Sequence, residues 1–186
     1  MKRFFDIFLA VILIFFFIWL IIIIAISIRS TSKGPIIYWS SRVGQNNRIF
    51  KMPKYRTMRI DTPDIATHLM SNPKFYLSPL GGFLRSYSLD ELPQLFSVLK
   101  GDMSFVGPRP ALHNQDDLIA LRSKKGINKL VPGITGWAQV NGRDDLSIPD
   151  KVGLDLEYLN CQSFWFDLKI LWMTLLKVIG QNNISH

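Results

Sequence analysis

The chain opens on an unbroken apolar run. Ile7 to Ile28 contains no charged residue, no glycine and no proline. As a helix this run is about 33 Å long, close to the thickness of a bilayer's hydrocarbon core. It is too long for a signal-peptide core and no convincing small-residue cleavage site follows, so it is expected to be retained. Beyond it the apolar stretches shorten. Ile36 to Trp39 reads as a strand, Gly44-Gln45-Asn46-Asn47 as a turn, and Arg48 to Met52 as the partner strand of a hairpin. Asp61 to Ser78 is punctuated by Pro63 and Pro73 and reads as a surface excursion with a short helix. Leu92, Leu95, Phe96 and Leu99 recur at helical spacing, and Gly101 supplies a stop after Lys100. Phe164 to Ile179 is too short and too charged to span a bilayer. Its tryptophans, with Lys169 and Lys177, suit an interfacial amphipathic helix, a core helix, or one face of each.

These elements predict an α+β fold, mostly helical, in two parts. Residues 1–33 form an N-terminal membrane helix, and residues 34–186 a membrane-associated domain with a small β-hairpin. Charge places that domain. Lys2 and Arg3 precede the apolar run, and Arg29, Lys33, Arg42, Arg48 and Lys51 follow it. The positive-inside tendency puts the downstream side in the cytoplasm, and the basic N-terminus prefers that side too. A helix that enters and returns on one face satisfies both ends.

The chain has 186 residues, with 22 Lys plus Arg against 14 Asp plus Glu, for a net charge of +8. Such a balance suits nucleic acid, anionic lipid or phosphorylated substrates. The apolar run favours lipid and phosphate, and no regular basic and aromatic repeat points to nucleic acid. Cys161 is the single cysteine, which excludes an intrachain disulfide. His68, His113 and His186 lack ligand spacing, so no zinc site is expected.

The stretch with most chemistry is Ser88 to Pro110, SLDELPQLFSVLKGDMSFVGPRP. Asp90 and Glu91 stand side by side ahead of the apolar helix. One account is local: Ser88 and Glu91 form a capping box, or Asp90 caps the helix and Pro93 sits in its first turn. The other is catalytic. Arg109, braced between Pro108 and Pro110, then supplies charge, and Arg85 lies five residues before Asp90, within reach of the acids or of a phosphate. Lys54 and Arg56 share one face of an extended segment, as a phosphate site or a lipid-facing patch. In PGITGWAQVNGR, residues 132–143, the glycines allow close backbone approach to a phosphate. Trp137 either stacks on a base or packs, and Arg143 suits bidentate contact with a diphosphate.

SLDELPQL, KGDMSFVGPRP and PGITGWAQVNGR together resemble the bacterial sugar transferases, and more narrowly the small monotopic phosphoglycosyl transferases. The likeness runs from Lys2 to about Val178. It implies transfer of a phosphosugar from a UDP-sugar to undecaprenyl phosphate with release of UMP, an early step in making O-antigen, capsule or glycoprotein glycan. An N-acetylated amino sugar is the expected cargo. The resemblance implies a site at the inner, cytoplasmic membrane. Asp90 would be the nucleophile forming an aspartyl-phosphosugar, and Glu91 a Mg²⁺ ligand. Arg85, Arg109, Arg143, Lys54, Arg56 and Trp137 would bind substrate or phosphate. It also implies a place for Asp167 near the active site, with a salt bridge as the alternative, and leaves room for a homo-oligomer or contact with downstream glycosyltransferases. The family breaks its re-entrant helix at a Ser-Pro pair, where this chain has Ile18 and Trp19. Re-entrance and a straight span are therefore both open, as is a competing reading as a non-catalytic scaffold of a polysaccharide assembly complex.

Overall fold

The computed structural model describes residues 1–62, 73–142 and 145–180. Most of the excursion expected at 61–78 therefore lies outside the described residues, which show there a short 3-10 turn at Pro73–Tyr76. The elements are α1 (Lys2–Thr31), β1 (Ile37–Val43), β2 (Ile49–Tyr55), α2 (Gly81–Ser86), α3 (Gln94–Lys100), β3 (Ser104–Val106), α4 (Asp116–Lys124), β4 (Gly133–Thr135), α5 (Trp137–Asn141), α6 (Ile148–Cys161) and α7 (Phe164–Gly180). The α+β, mostly helical class is as expected. The hairpin β1–β2 is antiparallel and longer than the apolar letters suggested, pairing Val43 with Ile49 and Tyr38 with Lys54.

With no proline at positions 18 and 19 the helical ladder is unbroken, and α1 is one helix of 30 residues. Both of its ends are tied to the globular body. Near the start, Lys2 Nζ donates to Asp167 Oδ2 at 2.6 Å, and Arg3 donates to the carbonyls of Val98 and Leu99. Asp6 is buried and accepts from the amide of Phe105 at 3.2 Å. Near the end, Tyr55 OH donates to Ile21 O at 2.7 Å. Arg56 donates to Lys33 O at 2.5 Å and to Ser32 Oγ at 2.7 Å. Ala10 packs in the main core with Leu95, Val98, Phe105 and Ile170, while Ile24 and Ile28 pack with Tyr55 and Leu84. Between these anchorages Phe15, Phe16 and Trp19 are exposed. A straight anchor leaving the domain at one end would tie only that end.

The sequence SLDELPQL folds differently from a capped helix. Ser88 adopts a left-handed conformation (φ 54°), Leu89–Glu91 form a 3-10 turn, and α3 begins only after Pro93, its N-cap. Ser88 makes no side-chain cap, so neither cap assignment holds. Glu91 is engaged elsewhere, as described below. Gly101 ends α3 at φ 100°, as a left-handed C-cap requires. Phe96, expected on the apolar face, points outward and is half exposed; Leu95 and Val98 carry the packing.

The parallel pair β3–β4 brings Gly107 against the chain from Val131 to Gly136. Gly107 N donates to Thr135 O at 2.9 Å, and Gly133 N to Pro108 O at 3.0 Å. A Cβ on Gly133 or Gly136 would fall on the backbone of Gly107, well inside van der Waals contact. These glycines serve close approach of two backbones. Gly136→Ala is expected to destabilise the fold by about 1–3 kcal/mol or more through overpacking against rigid backbone. A thermal melt in detergent checks this; an unchanged midpoint would mean the two loops can separate freely.

Candidate active site

Three segments converge on the carboxylates. The 3-10 turn presents Asp90 and Glu91, β2 presents Lys54, and the chain after β3 presents Arg109. Lys54 Nζ is 2.7 Å from Glu91 Oε1, and Arg109 Nη2 is 3.3 Å from the same oxygen. The alternation along β2 turns Lys54 toward the turn, since Tyr38, Lys54 and Met52 share that face of the hairpin with Ser40 and Arg42. Arg85, in the last turn of α2, is held by Thr57 Oγ1 at 3.0 Å and acts on Asp90 electrostatically.

The two acids differ in environment. Burial would raise the pKa of Glu91, but Arg109 and Lys54 outweigh it and hold the carboxyl at about 2. Asp90 is 7% exposed and makes no ion pair among the described residues. Burial pushes its pKa above the ordinary carboxylate value; the Glu91 charge adds to the rise, and Lys54 and Arg85 oppose it. Neighbouring carboxyl groups with pKa values driven apart are a recurrent mark of divided roles in catalysis.

Arg42 joins this site though the sequence reading passed over it. Its Nε donates to Ser40 Oγ at 3.0 Å and its Nη1 to Pro110 O at 3.2 Å. Burial, then the Arg109 charge, lower its pKa to about 10, against the pull of Glu91. The available signal was its two-residue alternation with Ser40 and Tyr38, which needed the hairpin register to be useful.

Other candidates lie elsewhere. Arg56 is used on the C-terminal end of α1 and does not join Lys54 at the acids. Trp137 packs on Phe166 with ring centroids 5.0 Å apart, and Lys169 Nζ lies 5.4 Å from its ring centre. It is partly buried and packs against the main core, as the packing alternative has it. Asp167 is buried between Lys2 and the hydroxyl of Tyr158, 2.6 Å from each, which realises the salt-bridge alternative. Arg143 lies outside the described residues. Asp116 and Asp117 lie exposed in the first turn of α4, away from the paired acids.

A buried carboxylate stands beside an ion-paired one, with the charges of Lys54, Arg85, Arg109 and Arg42 around them, a balance suited to an anionic ligand. The profile of the bacterial sugar transferases matches residues 1–181, and the chain belongs to that family. It is 38% identical over 200 residues to the undecaprenyl-phosphate glucose phosphotransferase of Komagataeibacter xylinus, covering 98% of this chain and 36% of that protein. It is 38% identical over 188 residues to the sugar transferase EpsL of Bacillus subtilis, covering all of this chain and 91% of EpsL. It is 34% identical over 169 residues to the undecaprenyl-phosphate galactose phosphotransferase of Salmonella typhimurium, covering 80% of this chain and 34% of that protein. The chain thus spans little more than a third of the length of the two phosphotransferases and nearly all of EpsL.

Because the pKa of Glu91 falls on folding, its stabilisation is complete above the ordinary carboxylate value of 4.5 and is lost as pH falls toward about 2. Glu91→Gln is therefore expected to lower the melting temperature at neutral pH, with the gap from wild type closing below pH 4.5. Melting curves across pH decide it: a gap that persists into strong acid would show that the ion pairs are not its source.

Proposed function

We propose that the protein is a phosphoglycosyl transferase, moving a hexose 1-phosphate from its UDP-sugar to undecaprenyl phosphate. The observation that carries this reading is a buried Asp90, without an ion pair among the described residues, beside an ion-paired Glu91 inside a ring of cations. Two of the relatives bear names of this activity, with glucose in one and galactose in the other. An N-acetylated amino sugar finds no support in those names, and a neutral hexose replaces it as the proposed cargo.

In the proposed mechanism an Asp90 carboxylate oxygen attacks the sugar-bearing phosphorus. The bond from that phosphorus to the bridging oxygen breaks, and its electron pair leaves with UMP. An oxygen of undecaprenyl phosphate then attacks the aspartyl-phosphosugar, the bond to Asp90 breaks, and the carboxylate is restored. Lys54, Arg85, Arg109 and Arg42 offset the charge of two anionic substrates. Arg143 would add to them. The donor set also fits a hard cation shared with the substrate. Mg²⁺ is usually held by one or two carboxylates plus phosphate oxygens, and both cations on Glu91 fall on Oε1. Glu91 would hold it, and its chemistry there would be charge neutralisation on the diphosphate. Among the described residues no group of three or more acidic, histidine or cysteine side chains forms a ready-made metal cage.

The membrane provides the second substrate. The most apolar window of α1 is only 11% buried against the protein, and on α7 Trp165, Trp172 and Leu176 are also exposed. These surfaces would seat the protein in the cytoplasmic leaflet. The ties at both ends of α1 favour a helix that dips in with both ends on one side.

Incubation of purified protein with UDP-glucose or UDP-galactose, Mg²⁺ and undecaprenyl phosphate is expected to release UMP in sustained, lipid-dependent turnover. Release of UDP would mean transfer of the sugar alone, and no release with any donor would favour a scaffold. Asp90→Asn should retain the fold and lose turnover; appreciable residual rate would rule out Asp90 as nucleophile.

The raised pKa of Asp90 has its own signature. The acid limb of kcat/KM should lie above the ordinary carboxylate range, and Lys54→Met should move it to higher pH by removing a charge that favours ionised Asp90. A limb that moves down, or stays in place, would contradict this assignment.

A further inference from the structure

We propose that Arg122, gripped by Asp155, is the positioning residue for Arg109. This rests on the proposed role of Arg109 in holding substrate phosphate. Pro108 and Pro110 brace the segment but deprive it of two amide donors, so it cannot be tied down as an ordinary strand. It is held by its carbonyls instead. Gly133 N donates to Pro108 O at 3.0 Å and Val43 N to Ala111 O at 3.0 Å. Arg42 Nη1 donates to Pro110 O at 3.2 Å. The carbonyl of Arg109 itself is taken by Arg122 Nη1 at 2.8 Å.

Arg122 is fixed in turn. Its Nε and Nη2 both donate to Asp155 Oδ2, at 2.9 and 2.6 Å, which leaves Nη1 aimed at Arg109. Side-chain exposures of 12% and 2% place this pair in the interior. A buried ion pair contributes little net stability, because desolvation offsets most of the attraction, and apolar replacements are often as stable. Stability therefore does not account for the pair. A planar fork with one arm on a carboxylate and the other on a carbonyl sets an orientation that a lysine lacks the geometry to copy. One turn further along α6, Tyr158 OH lies 3.3 Å from Val106 O, so α6 braces both sides of the Gly107–Arg109 bend.

The test is a mutant cycle. Arg122→Met with Asp155→Leu replaces the pair by apolar groups, and Arg122→Lys keeps the charge but loses the fork. Both are expected to melt close to wild type and to lose about 10- to 100-fold in kcat/KM for UMP release, chiefly through kcat, as supporting residues around a reactive centre typically do. In an Arg109→Ala background the same replacements should cost less than about threefold, because coupled residues are not additive. Calorimetric binding of UDP, run over the same cycle, gives a readout independent of turnover. Unchanged activity and UDP affinity in the apolar pair, or an equal loss with and without Arg109, would overturn the proposal. If the wild type binds UDP but releases no UMP, the reading as a phosphoglycosyl transferase fails while the binding cycle still decides the role of Arg122. No UDP binding by the wild type would overturn both.

Discussion

The carboxylate of Glu91 is the point on which the site depends. One of its oxygens takes Lys54 from β2 and Arg109 from the segment after β3, so three pieces of chain far apart in sequence are joined at a single atom. The pairing does more than connect. It uses Glu91 as counter-charge, while Asp90 beside it is buried, has no ion pair among the described residues and is harder to ionise than an ordinary carboxyl. Two adjacent residues of one type thus acquire different chemistry from their surroundings alone. A left-handed Ser88 and a 3-10 turn make this possible by turning both acids away from α3. In a regular capped helix Glu91 would fold back onto its own first turn and could not reach Arg109.

The scaffold behind this joint is built from close backbone contacts and buried polar ties. Gly107, Gly133 and Gly136 let two stretches of backbone touch where any side chain would hold them apart. With so little apolar bulk at that junction, the Gly107–Ala111 segment is held through its carbonyls by arginines and amides. The first residues of α1 enter the same region. Lys2 meets Asp167, Asp167 meets Tyr158, and Asp6 takes the amide of Phe105 on β3. The apolar helix is thereby coupled mechanically to the strand that leads into Arg109. For the proposed reaction, which brings a lipid-borne phosphate to Asp90, that coupling would hold the apolar helix and the Arg109 segment in one body.

Much of the site was legible in the order of residues, with instructive exceptions. Asp90, Glu91, Arg109, Lys54 and Arg85 all gather as their types and motifs suggested. Arg56 does not, although it sits two residues from Lys54 on the same face, because that face runs on past the acids to the end of α1. Trp137 was open between stacking on a base and packing, and its neighbours Phe166 and Lys169 come from a distant helix. Arg42 and Arg122 were invisible as site residues for the opposite reason. Nothing local marks them, and their partners lie 68 and 33 positions away.

Local chemistry was enough to specify a long apolar helix, a hairpin, a stop at Gly101 and a carboxylate pair among cations, because composition, turn residues and charge act over a few positions. Family likeness in SLDELPQL, VGPRP and PGITGWAQVNGR added the reaction class. Tertiary structure alone decided which acid takes Lys54 and Arg109, where the α1 ends attach, and that Gly107, Gly133 and Gly136 bring two stretches of backbone into contact. These depend on desolvation and on contacts between distant segments, and both arise only once the chain has closed on itself.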